Sequence, residues 1–218
     1  MVTPEPVSHR QPAPLRPVWL VVLVALAALG CLWFLRRDAV GFLTWTRQSY
    51  TDYYWPRRHE LLLHVSGGAF ALGLGLLQVW LGLTGRTAGL HRWVGRLYLL
   101  AVACGAACAF YLVSQIPLDA YSLGLIGLGS AWVVTTVAGY RAIRRGDPVR
   151  HRAWMLRSYV VTFGFVTLRV TQNVLIGLGL ADEDTSVAIA AWACWTVPLV
   201  LIEPLLRSPR RPRLVRGR

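Results

Sequence analysis

Six long apolar runs, nearly free of charge, constrain this chain more than any other feature of its sequence. They occupy residues 18–35, 61–83, 97–116, 121–140, 158–180 and 186–206. A bilayer's hydrocarbon core, about 30 Å thick, needs roughly 20 apolar residues in a helix. A backbone inside lipid must satisfy its own hydrogen bonds. The runs therefore predict an all-α fold: a polytopic bundle of six transmembrane helices. The composition agrees, with 55% hydrophobic residues and only 15% charged, against about 25% charged in soluble domains. The first run is uncharged, longer than a signal-peptide core and followed by no small-residue cleavage site, so it reads as an uncleaved helix.

A net charge of +13 invites a nucleic-acid reading, but the positions of the charges argue against it. All 23 basic residues are Arg, and 22 of them flank the apolar runs. Seventeen lie in the two tails and in the loops after spans two and four, while five lie in the first loop. The loop after span five is acidic, with Asp182, Glu183 and Asp184. The positive-inside rule then places both termini in the cytoplasm, and the chain in the bacterial plasma membrane as a multi-pass protein. The expected organisation is a proline-rich cytoplasmic tail over 1–17, a membrane domain over 18–206 and an arginine-rich cytoplasmic tail over 207–218. That last tail is expected to meet anionic lipid. No motif points to nucleic acid, and none names a protein partner. The aromatic first loop, with Trp45, Tyr50, Tyr53, Tyr54 and Trp55, reads as an interfacial segment.

Polar groups inside spans are costly and commonly face a bundle interior. In span five and its approach, His151, Met155, Ser158, Thr162, Phe165, Arg169 and Gln172 fall on one helical stripe. Span two carries a matching stripe through His64 and Gln78, together with a small-residue ladder of Gly67, Ala71 and Gly75 that permits close helix approach. Alternating directions put His64 level with Arg169 and Gln172 near one membrane face. His91 and His151 lie near the other, with Tyr98 and Ser158 deeper. The segment His91-Arg92-Trp93 with Arg96 and Tyr98 is echoed by His151-Arg152-Ala153-Trp154 with Arg157 and Tyr159, the histidines standing 60 residues apart. Spans two to five then read as two duplicated hairpins forming a four-helix core.

These segments resemble a bacterial membrane-protein family, the domain of unknown function 2306. The likeness rests on Leu63-His64-Val65-Ser66-Gly67-Gly68, on Leu90-His91-Arg92-Trp93-Val94-Gly95-Arg96-Leu97-Tyr98, and on Arg144-Arg145-Gly146-Asp147 leading into His151-Arg152-Ala153-Trp154-Met155-Leu156-Arg157-Ser158-Tyr159. The resemblance implies a multi-pass membrane protein and carries no assigned reaction.

Three function classes fit the residues. The most specific is a haem-binding or redox protein with His91 and His151 as ligands of b-type haem iron, Arg92 and Arg152 near the propionates, and His64, Tyr98, Arg169 and Gln172 as further cofactor-binding candidates. The second is a carrier of a small solute or anion using the polar stripe of span five. The third is a non-catalytic membrane scaffold. Against the ligand role, each of His91 and His151 is as well explained as an interfacial histidine bonded to a loop carbonyl or a headgroup. The chain holds no phosphate loop, nucleophile elbow, HExxH motif or CxxC pair. Cys31, Cys104, Cys108 and Cys194 all fall within spans and read as small apolar fillers.

Overall fold

The computed structural model describes residues 54–84 and 88–207, together with 25, 28–36, 40 and 46–48. The proline-rich tail, most of the first predicted span, Arg86 and the arginine-rich tail beyond 207 lie outside the described residues. From Arg58 onward the described residues form six α-helices: α1 (Arg58–Thr84), α2 (Ala88–Val113), α3 (Ala120–Arg144), α4 (Pro148–Thr162), α5 (Gly164–Gly177) and α6 (Glu183–Arg207). No strand occurs among the described residues.

Aspartates set three of the helix starts. Asp119 and Ser122 form a reciprocal capping box at α3, each side chain accepting the other's backbone N–H at 2.8 Å. Asp147 accepts the Arg150 N–H at 2.9 Å, with Pro148 in the first turn of α4. Asp182 accepts the Thr185 N–H at 2.9 Å ahead of α6. Between α3 and α4 the chain turns at Gly146, whose φ of 75° lies in the left-handed region that glycine enters without steric cost.

Four helices (α1, α2, α3 and α6) are long and apolar enough to cross a membrane, and α4 with α5 makes a fifth if the bent pair counts as one span. In the core of the bundle α1 packs on α2, α2 on α3, α3 on α4 and α4 on α1, so α2 and α4 stand diagonally opposite. The remaining helix, α6, packs on α3, α4 and α5. Tyr98, Trp132, Ala71, Val102, Ala106, Leu128, Val161 and Cys194 form the buried centre. Phe70, Leu100, Val134, Val200 and Leu201 face outward, as expected where lipid is the solvent. Cys31 and Phe34 of the segment 28–36 pack against Leu72 and Val166.

The small-residue ladder performs as its spacing predicts. A Cβ on Gly67 would stand 3.0 Å from the Ala101 carbonyl oxygen and from Gly105 Cα, so the two backbones meet there directly. Ala71 is fully buried, and the Tyr159 ring occupies the space left by Gly75.

Two predicted features differ. Helices α2 and α4 begin well before the apolar runs, so His91 and His151 are each the fourth residue of a helix. The stripe from His151 to Gln172 does not run along one straight helix either. It is bent by 40° between Thr162 and Gly164. Gly164 brings the chain close to Leu128 and to the Cys194 carbonyl, and Thr167 donates to that same carbonyl at 2.8 Å, so the second half follows α6.

Candidate functional site

The two ends of the four-helix core hold the histidines. His91 (α2) and His151 (α4) sit on diagonal helices at the end carrying the α3–α4 turn, each in the first turns of its helix. His151 Nδ1 lies 2.9 Å from the Gly139 carbonyl oxygen. A carbonyl only accepts, so Nδ1 carries the hydrogen and neutral His151 keeps its lone pair at Nε2. His91 is held by its backbone, whose carbonyl accepts from Gln78 Nε2 at 2.6 Å. Its own Nδ1 is buried and has no hydrogen-bond partner. Such an atom costs about 1–3 kcal/mol when left unsatisfied.

Tyr98 and Ser158 lie seven residues deeper on the same two helices, about 10 Å along each axis. They bond to each other rather than reach upward: Tyr98 Oη is 2.7 Å from Ser158 Oγ and 2.8 Å from Thr162 Oγ1. Trp132 Nε1 donates to Thr162 Oγ1 at 2.7 Å, Thr136 Oγ1 lies 2.7 Å from Ser158 Oγ and donates to the Trp132 carbonyl, and Thr162 donates to the Ser158 carbonyl. This fully buried cluster ties α2, α3 and α4 together and forms a floor beneath the histidine pair. The partners Trp132, Thr136 and Thr162 are recognisable in sequence only as polar or aromatic residues inside apolar runs. The repeat pairs Tyr98 with Tyr159, yet the fold pairs it with Ser158. Tyr159 instead donates to the Leu72 carbonyl at 3.3 Å and lies against Cys31.

Arg92 and Arg152 are exposed at the same end, each about 100° around its helix from the preceding histidine. Arg157 is engaged elsewhere: its Nε and Nη2 donate to the two oxygens of Glu203 at 2.6 and 2.9 Å, and its guanidinium stacks 4.8 Å from the Trp154 ring centroid. The signal for that pair was a lone carboxylate in the last run, level with the start of the fifth.

His64 belongs to the opposite end. Its Nδ1 lies 2.9 Å from the Gly105 carbonyl oxygen, and its ring centroid is 5.4 Å from that of Phe165. Arg169 and Gln172 are neighbours, Nη1 donating to Oε1 at 3.4 Å, but Arg169 is exposed beyond the bend. Of the sequence-level candidates, the fold gathers His91, His151, Tyr98 and Ser158 at one end and keeps His64, Arg169 and Gln172 apart from them.

Among the described residues every regular element is helical, and four helices, or five with the bent pair, are long and apolar enough to cross a membrane. Residues 61–206 match the family described as "Predicted membrane protein (DUF2306)", and the chain belongs to that family. No curated protein and no solved structure matches it.

Proposed function

We propose that this protein binds one b-type haem between His91 and His151, at one end of its four-helix core. The observation that carries the reading is the buried Nδ1 of His91, which has no hydrogen-bond partner, at the same end of the core as His151 on the diagonal helix. His151 supports it, because an Nδ1–H donated to a backbone carbonyl is the usual second bond of a metal-ligating histidine. Among the described residues no group of three or more His, Cys, Asp or Glu is placed to hold a metal. A metal held by two imidazoles must bring its remaining ligands, and a tetrapyrrole does so. Bound haem would supply one-electron chemistry. The chain's part is to orient the two imidazoles, to brace them through the Tyr98–Ser158 floor, and to offer Arg92 and Arg152 to the propionates.

The setting belongs to the same proposal: six spans in the bacterial plasma membrane, both termini cytoplasmic, the 207–218 tail on anionic lipid. The arginine distribution supports it. The test is a reduced-minus-oxidised spectrum of protein purified after expression with added haem. A Soret and an alpha band are expected, lost in His91→Ala and in His151→Ala and kept in His64→Ala. Absence of both bands overturns the reading, as does a signal surviving the His91→Ala/His151→Ala double variant.

One observation favours a second reading. The break at Phe163 divides the fifth crossing into two half-helices, the form in which carriers build solute sites. Liposome flux of small anions, lost in Arg169→Met, is the result that would favour it.

A further inference from the structure

A groove of about 540 Å³ runs along α3 and the first turns of α4, outside the histidine site. Its size falls in the ~300–1,000 Å³ range of small-molecule sites. Its chemistry changes along its length. One part is walled by Val133, Val137 and Trp154, and the other is rimmed by Arg141, Arg145 and Arg150. Val137 and all three arginines are exposed. The one carboxylate on the rim, Asp147, is already engaged: Oδ1 accepts the Arg150 N–H at 2.9 Å, and Oδ2 lies 3.4 Å from Arg150 Nε. The rim therefore keeps a net positive charge beside the apolar part, in a groove that extends about 18 Å in all, from Val133 to Arg145, along the helix.

We infer that this groove binds a phospholipid with an anionic headgroup, its phosphate among Arg141, Arg145 and Arg150 and an acyl chain along Val137 and Val133. Charge complementarity selects the occupant. A soluble anion would leave the apolar wall unused, and a neutral lipid would leave the arginines without a counter-charge. The guanidinium fork suits a phosphate, and a basic pocket between helices at a membrane face is suited to anionic headgroups. The site is independent of the haem reading. It also differs from simple charge attraction at a loop, since Arg144 belongs to the same helical turn yet does not line the groove.

That difference supplies the control. The full-length protein is reconstituted in nanodiscs of phosphatidylglycerol and phosphatidylcholine in equal parts, and retained lipid is counted by native mass spectrometry. Phosphatidylglycerol should be retained in preference to phosphatidylcholine. Arg141→Gln/Arg145→Gln should weaken retention about tenfold or more, whereas Arg144→Gln should change it less than about twofold. Ala138→Phe, which fills the channel and leaves every charge in place, should weaken retention as strongly as the double variant. Equal retention of the two lipids overturns the proposal, as does an equal effect of Arg144→Gln. Displacement of the lipid by millimolar inorganic phosphate would show that the headgroup charge alone is bound, and would overturn the acyl channel.

Discussion

The two ends of the four-helix core are built to opposite specifications. At the His64 end the imidazole is closed in: it bonds to Gly105, packs against a tilted Phe165 ring, and sits beside the Gly67–Gly105 backbone contact. At the other end two imidazoles stand on diagonal helices, one with a buried nitrogen that has no hydrogen-bond partner. His64 and His151 each bond a backbone carbonyl through Nδ1, so what separates the two ends is the buried Nδ1 of His91, which has no such bond. A histidine inside an apolar span is informative only once its second nitrogen has been accounted for.

The sharpest way to break this comparison is to make one substitution at both ends. Gly67→Ala should lower stability by about 1–3 kcal/mol, because the new methyl meets backbone rather than a side chain that can turn away. Gly82→Ala places its methyl in ordinary van der Waals contact with His91 Cε1 at 3.7 Å and should be neutral or stabilising, by up to about 1 kcal/mol. Thermal unfolding in detergent reads both, and equal effects would show that the ends do not differ in packing. Tyr98→Phe comes next. It removes the hydroxyl that bridges Ser158 and Thr162 in a dry core, and should cost about 1–3 kcal/mol while broadening any haem absorption. An unchanged melting temperature would mean the floor does not brace the histidines. Arg157→Lys keeps the charge but loses the two-pronged bond to Glu203 and the Trp154 stack, for a cost of about 1 kcal/mol. Rescue of that loss at low ionic strength would show that charge alone held the pair.

The smallest effect belongs to the caps of the closed end. The Ser122 backbone N–H bonds the ionised Asp119 and holds its carboxyl below the ordinary range, and the Thr185 side chain does the same for Asp182. Each contribution is full above the unfolded value of about 3.9 and is lost as pH falls through the lower, folded value. The stability these two caps supply should therefore be flat from neutral pH to about 5 and decline only below about 4, with Asp119→Asn removing part of that decline. A decline already complete at pH 5 would assign it to other groups.

Much of this was legible in residue order. Apolar runs and flanking arginines specify helices that must lie in lipid, and the His-Arg echo brings His91 and His151 to one level. The bend at Phe163 was not legible, because the three- and four-residue spacing of the stripe continues through it. What ends the straight helix is contact with α6 through Gly164 and Thr167, which no local pattern records. For the same reason Arg169, inward on a straight helix, is exposed on the bent one. Tyr98 and Ser158 were placed correctly in depth, but their partners come from α3, whose Trp132 and Thr136 look like isolated polar interruptions until the helices are assembled.

The floor beneath the histidines has an arithmetic of its own. Tyr98, Ser158, Thr136, Thr162 and the Trp132 indole bring five hydrogens to six short contacts. One contact is always bare, and hydroxyl rotation alone decides which. The cluster therefore has several arrangements of equal heavy-atom geometry, and its dipoles can reverse without any helix moving. A membrane interior is ordinarily a poor dielectric. Here the centre of the bundle can answer a change of charge at either end by turning its hydroxyls, so a buried part of the protein is also a polarisable one.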